Sequence, residues 1–274
     1  MPVSAFHEPF LHEAIGSILE QTCPDWQLLI IAEKRQRSKL ESVLVEQLAD
    51  PRIEMITNQG RQIGGSFNTA MRRAETEFVA ILLGDDVWSP TAVEVLTKYI
   101  TASPGIDFFH SARRAMDAEG RLVSSVMPSR PSVSVDDFAI KSPVKHLLCW
   151  RREKGLAIGG MDESLNSVGV DDYDFPWSMA ERGARFKAIP DCLYVYRDHR
   201  ESFRLTTHLP LSHHKRELAR ILRKHGVGES TISSRVAAAE RGYLRQCLYR
   251  SRLDRWLKRL RGHDPGAGWR ELYR

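Results

Sequence analysis

Cysteine is scarce. The 274-residue chain carries four, Cys23, Cys149, Cys192 and Cys247, widely scattered and with no CxxC spacing. That scatter indicates neither a zinc site nor a disulfide framework and fits a reducing compartment. Long apolar runs are also missing: no stretch of about 18 apolar residues occurs, and the N-terminus lacks the basic-then-apolar pattern of a signal peptide. The expectation is a cytoplasmic protein, with peripheral attachment at the inner face of a membrane as its closest approach to lipid. No P-loop or GxGxxG pattern is present, and no self-similarity of solenoid length is visible. The chain needs no staples, because 274 residues are enough for one sizeable α/β domain with an appendage, or for two small domains.

Negative charge is lacking in one region. The net charge is +5, yet residues 213–274 hold 16 Lys and Arg against 6 Asp and Glu, so residues 1–212 carry −5. A mildly acidic body argues against nucleic acid as the main partner. The basic tail suits an anionic membrane surface, RNA or an acidic protein.

Hydrophobic periodicity orders the body. Phe10, Leu11, Ala14, Ile15, Ile18 and Leu19 recur at helical spacing, and Thr22 to Asp25 break the pattern before the apolar run Trp26 to Ile31. Leu40, Val43, Leu44 and Leu48 predict a second helix, and Ile53 to Ile56 a second strand. A third helix over Ser66 to Ala74 leads into Phe78 to Leu83, which ends abruptly at Gly84, Asp85, Asp86. Strands separated by helices of this length predict right-handed crossovers and a parallel sheet. Ligands gather at the carboxyl ends of such strands, where Asp85 and Asp86 fall. Pro90 to Thr101 reads as a helix capped by Ser89 with Pro90 in its first position. Ile106 to Met116 and Leu122 to Val126 read as a hairpin, and Met127 to Pro143 as a mobile, acceptor-facing loop.

Residues 169–199 concentrate the chemistry. Asp171, Asp172 and Asp174 open a helical pattern in which Phe175, Met179 and Ala180 face inward and Glu181 and Arg182 face water, ended by Gly183. Capping alone accounts for Asp171. It accounts less well for Asp172 beside it, because adjacent carboxylates raise one another's proton affinity, which suits a general base. A strand, Cys192 to Tyr196, then ends at Arg197, Asp198, His199. Asp85 and Asp86 either cap a turn or hold Mg²⁺ or Mn²⁺, hard cations that prefer oxygen and bridge a diphosphate; His199 is a candidate third ligand. Gly60, Arg61, Gly64 and Gly65 precede the third helix, where glycines serve either a tight turn or close approach of backbone and Arg61 to phosphate.

Taken in order, these segments resemble a family 2 glycosyltransferase with a GT-A fold, over about residues 2–205. FLHEAIGSILEQTCPDWQLLII resembles the family's first helix and second strand, and NQGRQIGGSFNTAMRRAETEFVAILLGDDVWSP its approach to the DxD-type motif. RREKGLAIGGMDESL resembles the "GGFDE" region, GVDDYDFPWSMAERG the "GxEDxDLWLRLAERG" segment, and IPDCLYVYRDH the "YYRxH" close. The resemblance implies an α/β fold with a mixed, mostly parallel sheet flanked by helices. A basic helical extension, residues 206–274, would follow a catalytic domain of residues 1–205.

Carried over, Asp86 resembles the metal-binding aspartate, Asp85 the neighbour that meets ribose or metal, and His199 the histidine near the diphosphate. Asp172 matches the base of the "ED" pair, with Asp171 where glutamate is usual. The implied reaction is inverting and metal-dependent: a sugar passes from a UDP-, dTDP- or GDP-sugar to a glycan or lipid-linked acceptor, in polysaccharide or glycoconjugate assembly. The uracil-side "DDGS" reads Ala32, Glu33, Lys34, Arg35 here, so the usual uracil-contacting aspartate is absent; Glu33 and Arg61 are the further candidates for donor binding. The family's opening apolar strand ends in a turn that Pro2 to Ala5 replace, which implies a domain lacking its central first strand. That loss and Ala32 motivate an alternative, a catalytically degenerate relative acting as a binding or membrane-peripheral partner. Leu253, Trp256, Leu257 and Leu260 with Arg252, Arg255, Lys258, Arg259 and Arg261 predict a basic amphipathic helix, which either docks on the catalytic domain or meets an anionic membrane.

Overall fold

An apolar residue at every position from Leu28 to Ile31 predicts a strand covered on both faces, and the computed structural model, which describes residues 1–165, 169–198 and 210–262, realises it. Strands β1 (Pro2–Val3), β2 (Leu28–Ala32) and β3 (Ile53–Thr57) pair in parallel in that order, with Pro2 opposite Ile31 and Leu28 opposite Ile53. On one face of β2, Leu28, Ile30 and Ala32 join the main core with Leu11, Ala14, Ile15 and Ile18 of helix α1 (Glu8–Leu19). On the other face, Leu29 and Ile31 pack with Ala74, Ala70 and Ile56. Each fully buried Leu or Ile among them contributes about 1.5–3 kcal/mol.

The strand expected to be missing is formed in part. Met1 O accepts from Ile31 N at 2.8 Å and Val3 O from Glu33 N at 3.4 Å, so the edge of β2 is not left with orphaned backbone groups there. Two residues carry no periodicity, which is why the pattern did not reveal a strand at Pro2 and Val3.

Helix α2 (Arg37–Val43) crosses to β3, and α3 (Gln62–Arg73) leads to β4 (Phe78–Ala80). After β5 (Val87–Trp88), helix α4 (Ala92–Ala102) begins two residues later than Ser89 and Pro90 suggested. Ser89 does not cap it. Gln21 does, accepting the Val93 N–H at 2.9 Å and donating to Ser89 O and Ser17 O at 2.7 and 2.8 Å. Strand β6 (Phe108–Met116) turns at Asp117 and meets a ragged return, with bridges Met116 to Leu122 and Arg113 to Met127. Residues 127–143, expected as loop, contain α5 (Val135–Ile140), started by a capping box in which Ser134 and Asp137 satisfy each other's backbone.

Strand β7 (Leu148–Arg151), helix α6 (Arg152–Ala157), a π-helical turn (Val170–Asp174), helix α7 (Phe175–Glu181) and strand β8 (Phe186–Arg197) complete the body. The second sheet has the order β4-β7-β6-β8-β5. Its recorded pairs β4–β7, β6–β7 and β5–β8 run antiparallel. With the parallel first sheet, the whole is the expected mixed α/β fold.

The chain divides into two compact units, residues 1–113 with 126–196, and residues 114–125 with 197–274. In the second unit, Asp198 N donates to Met116 O at 2.8 Å. There too helix α8 (Leu211–Lys224) packs on α9 (Glu229–Arg250), with Leu218, Ile221, Leu222 and Ile232 buried and Lys215 2.9 Å from Glu240, before α10 (Arg252–Leu260). No helix among the described residues is long and apolar enough to cross a membrane.

Replacing Gln21 by Ala leaves the buried Val93 N–H without its acceptor, at about 1–3 kcal/mol, while Ser89 O keeps its bond from Ala92 N at 2.9 Å. Urea unfolding of Gln21→Ala is expected to show a stability loss in that range with an unchanged m-value.

Candidate active site

Three aromatic or imidazole contacts draw two pairs of carboxylates together within the first unit. Asp86 follows β4 in a turn closed by its own N–H to Leu83 O, 3.3 Å, and its side chain is fully buried. The Tyr194 hydroxyl donates to Asp86 Oδ2 at 2.6 Å. Register sets that meeting: Tyr194 of β8 lies opposite Trp88, and Val195 opposite Val87. Burial, then the Asp86 charge, pushes the Tyr194 phenol well above its usual range, so at neutral pH it stays protonated and remains a donor.

His146 stacks on the Tyr194 ring, centroids 5.3 Å apart and 28° between planes, and its Nε2 lies 3.2 Å from Asp171 Oδ2. The carboxylates of residues 171 and 172 stand on the π turn. Gly169 makes that turn possible, with φ +64° and its carbonyl accepting from Asp174 N at 2.8 Å and Tyr173 N at 3.2 Å. The Ser142 hydroxyl donates to Asp172 O at 2.6 Å, and the Tyr173 hydroxyl to Phe138 O at 2.6 Å, so the turn is tied down on the side facing α5. Phe175, Trp177 and Met179 are buried, and Gly183 at φ +79° ends α7 as its position predicted.

Proton affinities follow. Burial raises the Asp172 carboxyl, the neighbouring Asp171 charge raises it further, and His146 and Arg113 pull it back. The adjacent carboxylate is thus the second cause, behind burial. For His146, burial favours the neutral ring, but the hydrogen bond and charge of Asp171, with help from Asp172, outweigh it and raise the imidazole. Lys145 is lowered by burial and by Arg113 and Lys141.

Glu33 and Arg61 are held by other partners. Glu33 Oε1 accepts from Asn58 Nδ2 at 2.8 Å, at the carboxyl ends of β2 and β3. The Arg61 side chain is exposed, and its backbone N–H, suggested for phosphate, donates instead to Glu163 Oε2 at 2.7 Å. The glycines serve packing: a Cβ on Gly65 would lie 2.4 Å from the Gly60 backbone, and Asn68 locks Met161 and Glu163 onto α3 through bonds of 2.7–3.0 Å. His199 lies outside the described residues, among which no three His, Cys, Asp or Glu side chains are placed to hold a metal ion. Asp85 and Asp86 still match the chemistry of Mg²⁺ or Mn²⁺, which bind through one or two carboxylates completed by phosphate oxygens. Periodicity and motif reading passed over His146 and Tyr194, the first a lone histidine ahead of an apolar run and the second one tyrosine of an alternating strand.

The sequence model of Glycosyl transferase family 2 matches residues 3–149, more than half of the chain. The chain belongs to glycosyltransferase family 2. A relative in Methanocaldococcus jannaschii, an uncharacterized glycosyltransferase, is 29% identical over 203 residues, 71% of this chain and 69% of that protein. The fold is that of S. aureus TarS, solved with UDP-GlcNAc: TM-score 0.60, 16% identity, covering 92% of this chain and 73% of that one. The mannosyltransferase PcManGT of Pyrobaculum calidifontis, in complex with GDP-Man and Mn²⁺, is similar too, with TM-score 0.57, 17% identity, and 98% of this chain and 76% of that one covered. The GT-A architecture of the family 2 enzymes is therefore the fold of this chain.

Tyr194→Phe keeps the ring against His146 and removes the donor from a buried carboxylate. Loss of a hydrogen bond to a charged group costs about 1.5–3 kcal/mol, so the variant is expected to unfold at distinctly lower urea concentration; an unchanged midpoint would show that the phenol does not hold Asp86.

Proposed function

We propose that this family 2 glycosyltransferase transfers a sugar from a nucleoside diphosphate donor to an acceptor hydroxyl with inversion at the anomeric carbon, Asp172 acting as general base. The observation that carries the reading is a carboxylate of raised proton affinity, Asp172, joined through Asp171, His146 and Tyr194 to the buried Asp86 at a strand end. Asp172 takes the acceptor proton, the acceptor oxygen attacks the anomeric carbon, and the bond from that carbon to the diphosphate oxygen breaks on the opposite face. Asp85 and Asp86 would hold a Mn²⁺ or Mg²⁺ ion, which would offset charge gathering on the departing diphosphate. Glu33, with Asn58, and Arg61 would meet the donor on its nucleotide side. TarS bound to UDP-GlcNAc and PcManGT bound to GDP-Man and Mn²⁺ support a nucleotide sugar and a divalent ion as the classes involved.

General-base assistance is worth about 10²–10⁴ in rate, so Asp172→Asn is expected to lose transfer by that factor while donor affinity, measured by calorimetry, stays put. Stability moves the other way. A carboxyl raised in the fold favours the native state below its unfolded value, and that contribution is lost as pH rises through the raised value. At neutral pH the ionised Asp172 is therefore a cost, and Asp172→Asn is expected to melt higher than wild type at pH 7 to 8. The gain should shrink as pH falls towards the ordinary aspartate range.

The second unit supports a peripheral contact with an anionic membrane. Leu253, Trp256 and Leu260 recur at i, i+3 and i+7 on α10 and are 63%, 55% and 65% exposed, and Leu244 and Leu248 on α9 are exposed as well. Lys258 and Arg259 stand in the last turn of α10, within a region of strong positive charge. An apolar stripe flanked by cations is the composition of an interfacial helix, and a lipid-borne acceptor would be brought to the enzyme by it. The full chain is expected to co-sediment with vesicles containing phosphatidylglycerol, to release as salt rises, and to ignore pure phosphatidylcholine. Replacing Leu253 and Trp256 by Ser should abolish sedimentation, and retention by the double variant would exclude this surface.

A further inference from the structure

His146 is a residue that neither periodicity nor motif pointed to, yet it touches both halves of the site. Its ring is nearly buried, its Nε2 is 3.2 Å from Asp171, and its face lies on the ring of Tyr194, whose hydroxyl holds Asp86. Its other nitrogen, Nδ1, meets no hydrogen-bond partner among the described residues, so Asp171 is the polar anchor that fixes the ring's orientation. The charged and titratable groups around it are Asp171 and Asp172 from the π turn, Arg113 from β6 and Tyr194 from β8.

Resting on the reading of Asp172 as general base, we propose that His146 is a positioning residue for sugar transfer: it clamps Asp171 and so fixes the turn that presents Asp172 at a set distance from the strand end bearing Asp86. The physical logic is selection between two neighbouring carboxylates. One is occupied by the imidazole and becomes a structural anion; the other keeps its oxygens for the acceptor. Because His146 bears on Tyr194 as well, a shift of the π turn is resisted by the same ring that shields the Asp86 hydrogen bond. Misplacement of a catalytic group by about 1 Å costs about 10²-fold in rate, which is the scale on which such a clamp acts.

Two arms test this on the full chain. In the first, nitrogen-15 NMR of the imidazoles follows His146, assigned by its loss in His146→Gln, and needs no substrate. Asp171→Asn is expected to lower the His146 titration midpoint and to shift its Nε2 resonance, and an unmoved resonance would overturn the clamp. In the second, release of nucleoside diphosphate is followed on a panel of UDP-, dTDP- and GDP-sugars with Mn²⁺, water serving as acceptor. His146→Phe, which keeps the stack on Tyr194, should lose about 10²-fold in kcat with the donor KM within about twofold. Its acid limb should move to higher pH, because the cation that lowers the Asp172 proton affinity is gone. His146→Gln, whose amide nitrogen reaches towards Asp171 from near the Nε2 position, should recover most of kcat. Wild-type kcat and pH profile in His146→Phe would overturn the proposal, as would equal losses in both variants matched by equal losses in melting temperature. Asp172→Asn separates the two readings: if it silences hydrolysis while His146→Phe does not, the base stands and the clamp falls, whereas an active Asp172→Asn removes both.

Discussion

Taking a carboxylate wholly out of water is costly unless it is hydrogen-bonded, and for Asp86 the Tyr194 hydroxyl donates such a bond at 2.6 Å. Much else is arranged around this bond. Tyr194 can reach Asp86 only because β8 pairs with β5 in the register that sets Tyr194 opposite Trp88. A slip of one residue would point the phenol to the other side of the sheet. The Trp88 indole in turn donates to Ile81 O at 3.2 Å, holding the strand from which the acidic turn emerges. The ring that satisfies Asp86 also supplies the surface on which His146 lies, so one tyrosine links the acidic strand end to the π turn.

The same region stores its cost at Asp172. Burial and a neighbouring anion raise this carboxyl, and Arg113 and His146 offset part of the rise. A group so placed is a poor contributor to stability at neutral pH and a better proton acceptor than an exposed aspartate would be. The turn that carries it is correspondingly over-determined, by the Gly169 carbonyl, the Ser142 hydroxyl and the Tyr173 hydroxyl. The unfavourable charge is kept where hydrogen bonds hold the backbone in place.

Much of the fold was legible because it is periodic. Leu11, Ala14, Ile15 and Ile18 announce α1, and the unbroken run through Ile31 announces a strand buried on both faces. Gly183 announces the end of α7. Where the sequence misled, long-range contacts were responsible. Gln21 caps α4 from more than 70 residues away, displacing the local Ser89 signal, and Pro2 and Val3 form a strand by virtue of β2 alone. The capping box at Ser134 was local and readable in principle, but lay in a stretch whose prolines and serines suggested loop. In the site, acidic pairs could be seen because carboxylates are chemically conspicuous. His146 and Tyr194 could not, since their roles arise from register and stacking, and the glycines near Arg61 proved to be there for close backbone packing against Glu163.

The acidic strand end at Asp86 and the carboxylate of Asp172 are proposed to serve one cleft. A crystal structure of the protein grown with Mn²⁺ and UDP or GDP, with the metal located by its anomalous signal, addresses this directly. The expected result is a manganese peak beside Asp85 and Asp86 with the diphosphate on it and Asp172 opening onto the same cavity. A nucleotide and metal bound away from Asp86, or an Asp172 side chain facing a different surface, would contradict it.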